Sequence, residues 1–495
     1  MSPQGNHLND ALSMLEPRPL WRHFLGLSRI PRGSKNEAAA ALWVAEQARA
    51  AGCEVEQDPA GNVLVRKRAT PGREGAPTVA LQSHVDMVCE KNEGTAHDFT
   101  RDPIDVYVDG DHVRARGTTL GADNGIGVAA ALAVLASKEL AHGPIEALFT
   151  VDEETGLTGA QALRHGWLHA RYLLNLDSER EGELTIGCAG GLDTVASRRV
   201  ARTAARMGRT PLRLKVSGLK GGHSGIDIAA GRANAVRLLG QLLAALAPAH
   251  ALDLVAVKGG SKRNAIPREA SAIVWIDPAR RAALDADVAR LAGEWRAAFG
   301  ALDPGISLAV EEAEGGAPMA QSAAAAVVGL LCGAPHGVEA MSPDLPGLVQ
   351  TSTNLGIVET EGDVVQLCFL TRSSLDSSRR ALVDRIAALC ALGGFTVENQ
   401  GGYPGWRPDP GASLVRVAGE IHAALFGKPM EVRAIHAGLE CGIIGEKYPG
   451  MEMVSFGPTL SDAHTPDERV QVASVGTFWK LLVGLLERLG SVSGA

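Results

Sequence analysis

A chain of 495 residues is too long for one ordinary compact domain, so two domains are the default expectation. Its 45% hydrophobic and 21% charged residues suit a globular core, and a net charge of −8 with no basic block or arginine stripe argues against nucleic acid. No run approaches the roughly 18 apolar residues of a membrane span, Met1–Arg32 lacks a continuous apolar leader core, and the seven cysteines are scattered singly. A disulfide framework, a cysteine-based zinc site and a membrane partner all lose ground, and the cytoplasm is the simplest location.

Ser34 and Glu37 fit a capping box, and the alanine-rich helix that follows should stop at Gly52. From there to about Gly190, strands Thr78–Gln82, Glu146–Val151 and Tyr172–Leu176 alternate with helical stretches such as Gly125–Ala136. That rhythm predicts an α/β domain with a mixed, largely parallel sheet. The middle reads differently. Strand Leu212–Val216, a helix from Ala229 to Leu246, two strands flanking Lys258–Arg268, helix Leu284–Phe299 and strand Ile306–Val310 make a βαββαβ unit. A partial echo follows: helix Ser322–Leu331, strands Val349–Val358 and Val364–Phe369, helix Leu375–Leu392 and strand Phe395–Glu398. Each stretch places an asparagine, Asn264 or Asn354, between its paired strands, which suggests an internal duplication. After Tyr403 strand and helix return, with strand Met451–Phe456 and helix Val475–Leu489.

Five strings carry chemistry. A hydrophobic strand ends in Leu81-Gln82-Ser83-His84-Val85-Asp86, offering a histidine and a carboxylate able to hold its other ring nitrogen. Asp123 lies among glycines in Gly121-Ala122-Asp123-Asn124-Gly125, where the plain alternative is a helix N-cap. Asp152-Glu153-Glu154 places three acids after a strand; unless the turn is merely solvated, their repulsion calls for a cation, one glutamate serving as ligand and its neighbour as base. Asp177 and His464 each follow a further strand. Singly each string is weak. Together, two histidines and three carboxylates suit a pair of Zn²⁺, Co²⁺ or Mn²⁺ ions sharing one carboxylate. Neither H-E-x-x-H nor G-x-S-x-G is present.

The ordered set H-V-D, G-A-D-N-G-I-G, D-E-E-T-G, N-L-D-S-E, G-G-H-S-G, R-N-A-I-P, T-S-T-N-L-G, H-A-G-L-E-C-G and D-A-H-T-P resembles the dizinc exopeptidases related to aminoacylase. Within them it is most similar to the aminoacyl-histidine dipeptidase branch, from about Leu15 to the C-terminus. The resemblance implies hydrolysis of dipeptides, Xaa-His or of broad specificity, at two divalent ions, zinc foremost. Asp123 would bridge them, His84 and Asp177 would complete one site, and Glu154 and His464 the other. Asp86 would orient His84, and Glu153 would be the base for a metal-bridging water. His223 would donate to the oxyanion, and a cis peptide would follow Asp123. Asn264 and Arg372 would receive the substrate carboxylate, with His436, Gly438 and Glu440 in the pocket and Glu440 meeting the free amine.

Four ligands precede position 178 but the fifth is His464, so the chain between them must leave the catalytic domain and return. This predicts a zinc-exopeptidase-like catalytic domain of residues 1–189 and 403–495, with an α+β lid of βαββαβ type at 190–402. In many relatives the lid pairs two subunits; a duplicated lid could do the same within one chain, so a homodimer stays open. An N-acyl amino-acid amidohydrolase or a tripeptidase could use the same ions, and a non-catalytic metal-binding scaffold is the alternative of another class. The intact Glu153 speaks against the last.

Overall fold

The computed structural model describes residue 12 and residues 14–492; the start of the Met1–Arg32 stretch read for a leader lies outside them. The chain divides into two compact units. The first comprises Met1–Gly187, Pro408–Ala434 and Leu439–Ala495, and the second Cys188–Arg407 with Ile435–Gly438.

The first unit is built on an eight-stranded sheet in the order Glu54–Gln57, Val63–Lys67, Ile145–Thr150, Val79–His84, Tyr172–Asn175, Glu452–Ser455, Glu183–Cys188, Glu431–Ile435. Its four central strands run parallel. Three of these (Val79–His84, Ile145–Thr150 and Tyr172–Asn175) are buried at every residue, which is why apolar residues fall on both of their faces, with Gln82, Ser83 and Glu146 as buried polar exceptions. Their carboxyl ends share one edge, where open α/β sheets place their ligand crevice. Helix Ala122–Ala136 is buried almost all round and apolar to match. A separate antiparallel sheet pairs Leu460–Ser461 with Arg469–Gln471, so His464 sits in the loop of a short hairpin.

The expected capping box does not form. Helix Ala38–Ala50 starts without a side-chain cap and ends ahead of Gly52, whose φ of 81° suits glycine. Ser34 Oγ instead donates to Asp86 Oδ2 at 2.8 Å. A fully buried carboxylate loses more by lacking a donor than a helix end open to water does.

The second unit carries a nine-stranded antiparallel sheet. Its main path runs Ser307–Glu312, Thr210–Ser217, Ala270–Ile276, Asp253–Gly259, Val349–Glu361, Val364–Ser373, Gly190–Arg199, Thr396–Tyr403. The junction between Asp253–Gly259 and Val349–Glu361 divides this path into two sets of four. Outward from it, each half presents its strands in the order second, third, first, fourth. Helices Ala235–His250 and Arg281–Phe299 serve one half, Gln321–Gly333 and Asp376–Leu392 the other. Both halves are therefore split βαβ units, and the first is inserted after the opening strand of the second. Asn354, read from the sequence as lying between paired strands, is inside strand Val349–Glu361. Its Nδ2 donates to the carbonyls of Arg263 and Ala265 at 2.9 and 2.8 Å, so it clamps the loop that carries Asn264.

Candidate metal centre

His84 closes its strand 1% exposed, with Nδ1 3.3 Å from Asp86 Oδ1. Asp86 also accepts the backbone N–H groups of Glu153 and Glu154 at 3.1 and 3.2 Å. One buried carboxylate thus faces the imidazole and fixes the turn that presents both glutamates. That turn is strained: Asp152 and Leu157 take φ of 51° and 56°, a region non-glycine residues avoid. The hydroxyls of Thr155 and Thr158 hold it by donating to the Asp152 carboxylate.

Asp123 enters its helix through Gly121, left-handed at φ 68°, and the Asp123–Asn124 peptide is cis. Asn124 Nδ2 donates to the carbonyl of Leu176 at 2.7 Å, tying this loop to the strand end before Asp177. A Cβ at position 127 would collide with the Asn124 side chain, which accounts for Gly127.

The two oxygens of Asp123 face different histidines. Oδ1 lies 3.2 Å from His84 Nε2, which is also 3.3 Å from Asp177 Oδ1. Oδ2 lies 3.2 Å from His464 Nε2, which is also 3.1 Å from Glu154 Oε2. Ligand-capable atoms of His84, Asp123 and Glu154 all fall within 4.8 Å of one another. His464 holds its place at φ 64°, a second strained backbone at the site.

The donor set fits divalent cations. Asp123, Glu154 and Asp177 face two imidazoles, and Glu154 Oε1 is buried without a hydrogen-bond partner. Hydrogen bonds to Asp123 and Glu154 push the His464 imidazole up to about 11. Burial works to lower His84, but Asp177, Asp123 and Asp86 outweigh it and hold it well above its ordinary value. Burial raises the Glu153 carboxyl well above the usual range, with His84 opposing and Asp177, Glu154 and Glu440 adding to it. Surplus buried carboxylates with nitrogen donors opposite them are what a hard or borderline cation requires.

Glu440 is fully buried in the first unit. Its Oε2 accepts from Gln82 Nε2 and from Thr150 Oγ1 at 2.6 Å, while Oε1 has no partner, and burial pushes the carboxyl up to about 7. Gln82 in turn accepts from Asn175, which completes a polar chain across three adjacent strands.

The second unit holds a different cluster. Arg372, 4% exposed, donates from Nη1 to the Tyr403 hydroxyl at 2.9 Å and from Nε toward Ser224 Oγ at 3.5 Å. Tyr403 lies so near Gly438 that a Cβ there would come within 2.9 Å of its ring. His436 Nε2 is 2.7 Å from Ser352 Oγ. Burial first, then Arg372, pushes this imidazole down to about 3. His223 Nδ1 accepts the N–H groups of Gly225 and Ile226 at 3.2 and 3.1 Å, which leaves the ring proton on Nε2. Burial and Arg372 hold His223 below its ordinary value. Asn264 has an exposed side chain, and its carbonyl accepts the N–H of Ser224 at 2.9 Å.

A profile of peptidase family M20/M25/M40 matches residues 80–488, a span that takes in all five ligand candidates. The chain belongs to that family. It is 42% identical to the cytosol non-specific dipeptidase of Escherichia coli, over 97% of this chain and 99% of that protein. The crystal structure of an aminoacylhistidine dipeptidase from Vibrio alginolyticus superposes with a TM-score of 0.89 at 44% identity, covering 96% of this chain and 98% of that one. Aminopeptidase PepT from Bacillus cereus, at 18% identity and a TM-score of 0.57 over 96% and 99% of the two chains, shares the fold. The resemblance and fold class read from the motifs agree with these findings.

In this M20/M25/M40 chain the sequence reading passed over Arg32, Ser34, Tyr403 and Glu468, all of which hold site loops or side chains. Ser34 looked like a helix cap and Tyr403 like a domain edge. Arg32 and Glu468 act on backbone atoms far away in sequence, so no local string announces them.

Proposed function

We propose that this chain is a cytoplasmic metallodipeptidase that hydrolyses Xaa-His and other dipeptides at two divalent ions, zinc foremost, with cobalt or manganese as substitutes. The observation that carries the reading is the division of Asp123, one oxygen toward His84 and Asp177 and the other toward His464 and Glu154. His84, Asp177 and Asp123 would hold one ion, and Glu154, His464 and Asp123 the other. The names of the Escherichia coli and Vibrio relatives, both dipeptidases, support the substrate class.

When bound, the ions supply Lewis acidity toward the scissile carbonyl and bring water ionisation near neutral pH. Glu153, whose carboxyl burial has made more basic, accepts the proton of the attacking water and returns it to the leaving amine. Asp86 holds the His84 ring and the Glu153 turn in one arrangement. His223 offers an Nε2–H donor that its local backbone fixes in the required tautomer, suited to an oxygen gaining negative charge. Arg372, whose partners are hydroxyls rather than acids, is suited to a substrate carboxylate, with Asn264, His436 and Gly438 supporting it. Glu440 has one oxygen unclaimed, as a receptor for the free amine would.

The test is a panel of Xaa-His dipeptides, tripeptides and N-acetyl amino acids, assayed after chelation and after metal add-back. Dipeptides should be cleaved fastest, and only with metal restored. Faster turnover of N-acetyl amino acids or tripeptides would replace the substrate class, and full activity after chelation would remove the metal mechanism.

A further inference from the structure

Glu468 is 2% exposed, and its side chain hydrogen-bonds to backbone rather than to the candidate ligands' side chains. Its carboxylate collects four consecutive backbone donors: Leu120 N at 2.7 Å and Gly121 N at 2.9 Å on Oε2, Ala122 N at 2.7 Å and Asp123 N at 3.3 Å on Oε1. The left-handed Gly121 curls the chain so that these N–H groups converge into an anion-binding nest, and the nest ends on Asp123 itself. Glu468 stands four residues beyond His464 and is braced on the same loop, its own N–H reaching the carbonyl of Thr465 at 3.0 Å. The segment that brings in His464 therefore also grips the backbone of the carboxylate that His464 faces.

A third leg completes the arrangement. Arg32, 1% exposed, donates from Nη1 to the carbonyls of Val85 and Asp86, both at 2.9 Å, and from Nη2 to the carbonyl of Gly121. It spans the His84 loop and the Asp123 loop. A Cβ at Gly121 or Gly125 would come within 2.5 or 2.8 Å of Arg32 Nη2, so those glycines make room for the guanidinium.

We propose that Glu468 is a positioning residue that sets the Asp123 carboxylate between its two histidines, with Arg32 locking the same loop to His84. The inference rests on the reading of these loops as the metal site. A carboxylate is needed because four N–H donors converge on two acceptor oxygens. A glutamine would offer one oxygen and turn an NH₂ against the remaining donors.

The test uses the full-length protein, stripped of metal and titrated with Zn²⁺ against a chromophoric chelator, then assayed on a dipeptide. Glu468→Gln should weaken Zn²⁺ binding and lower kcat, each by about 10–100-fold, as the loss of an outer-shell partner does, while KM stays within about threefold. Glu468→Asp keeps the charge and should recover part of both losses. Asp467→Asn, at an exposed neighbour, should match the wild type. If Glu468→Gln does not fold, Arg32→Lys is read the same way, since it keeps the charge but loses the fork. A folded variant with wild-type Zn²⁺ affinity and kcat, even one with a lowered Tm, makes Glu468 a structural brace only and overturns the proposal. Glu468→Asp no better than Glu468→Gln overturns the role of the charge. A wild type inert toward dipeptides would sink the proposed function and leave the Zn²⁺ titration intact as the test.

Discussion

The two polar clusters, one in each unit, keep their histidines in opposite states. In the first, carboxylates surround His84 and His464 and raise both imidazoles. In the second, burial and Arg372 depress His223 and His436. The first cluster gathers buried carboxylates, a setting that suits a divalent cation. The second gives a buried arginine hydroxyl partners, a setting that suits an anion. The contrast teaches that like residues do opposite work: carboxylates dominate the surroundings of His84 and His464, while burial and a guanidinium dominate those of His223 and His436.

The sharpest way to break this contrast is to remove the base. Glu153→Ala should keep Zn²⁺ binding, because Glu153 is not among the donor atoms facing the histidines, yet lose kcat by on the order of 10²–10⁴-fold. Near-normal turnover in that variant would take the proton-transfer role away from the first unit. A smaller effect is expected in the second. Arg372→Ala should raise KM for dipeptides by about 10–100-fold, the value of a charge-assisted contact, and change kcat less. A normal KM would move carboxylate recognition away from Tyr403, Ser224 and Arg372.

How much of this was legible follows from what each residue touches. His84 closes one fully buried strand, and Glu154 and Asp177 follow the ends of two others, so a mostly hydrophobic run leading into a histidine or an acid announced them. The βαββαβ set was readable because strands such as Ala270–Ile276 alternate buried and half-buried residues and helix Ala235–His250 buries one face. The first strand of the second set, Gly190–Arg199, was not, since the whole first set separates it from its partners. The string H-A-G-L-E-C-G reads as one pocket, but Ile435–Gly438 belong to the second unit and Leu439 onward to the first. Glu468 and Arg32 were invisible because they bind backbone carbonyls and N–H groups, which every residue has. Ser34 was misread because a serine before a helix has a local use that a buried carboxylate elsewhere overrode.

The smallest effect tests a buried, depressed histidine of the second unit through stability. His336 shares this state with His436: burial, then Arg237, pushes it down to about 3. In the unfolded chain such a histidine titrates near 6.5. Between the two values the unfolded state binds a proton that the folded state refuses, so the group's contribution is present above about pH 6.5 and is lost as pH falls toward the folded value. Within that window each histidine adds a slope of at most about 1.4 kcal/mol per pH unit. Carboxylates steepen the acid limb in the same direction, so the quantity to measure is the difference between variant and wild type. His336→Gln should flatten the fall of the urea midpoint of the metal-free protein between pH 6.5 and 4.5, leaving the midpoint at pH 8 little changed. An equal slope in both proteins would mean that His336 takes up its proton in the folded state. His336 would then side with His84 and His464 rather than with His223 and His436.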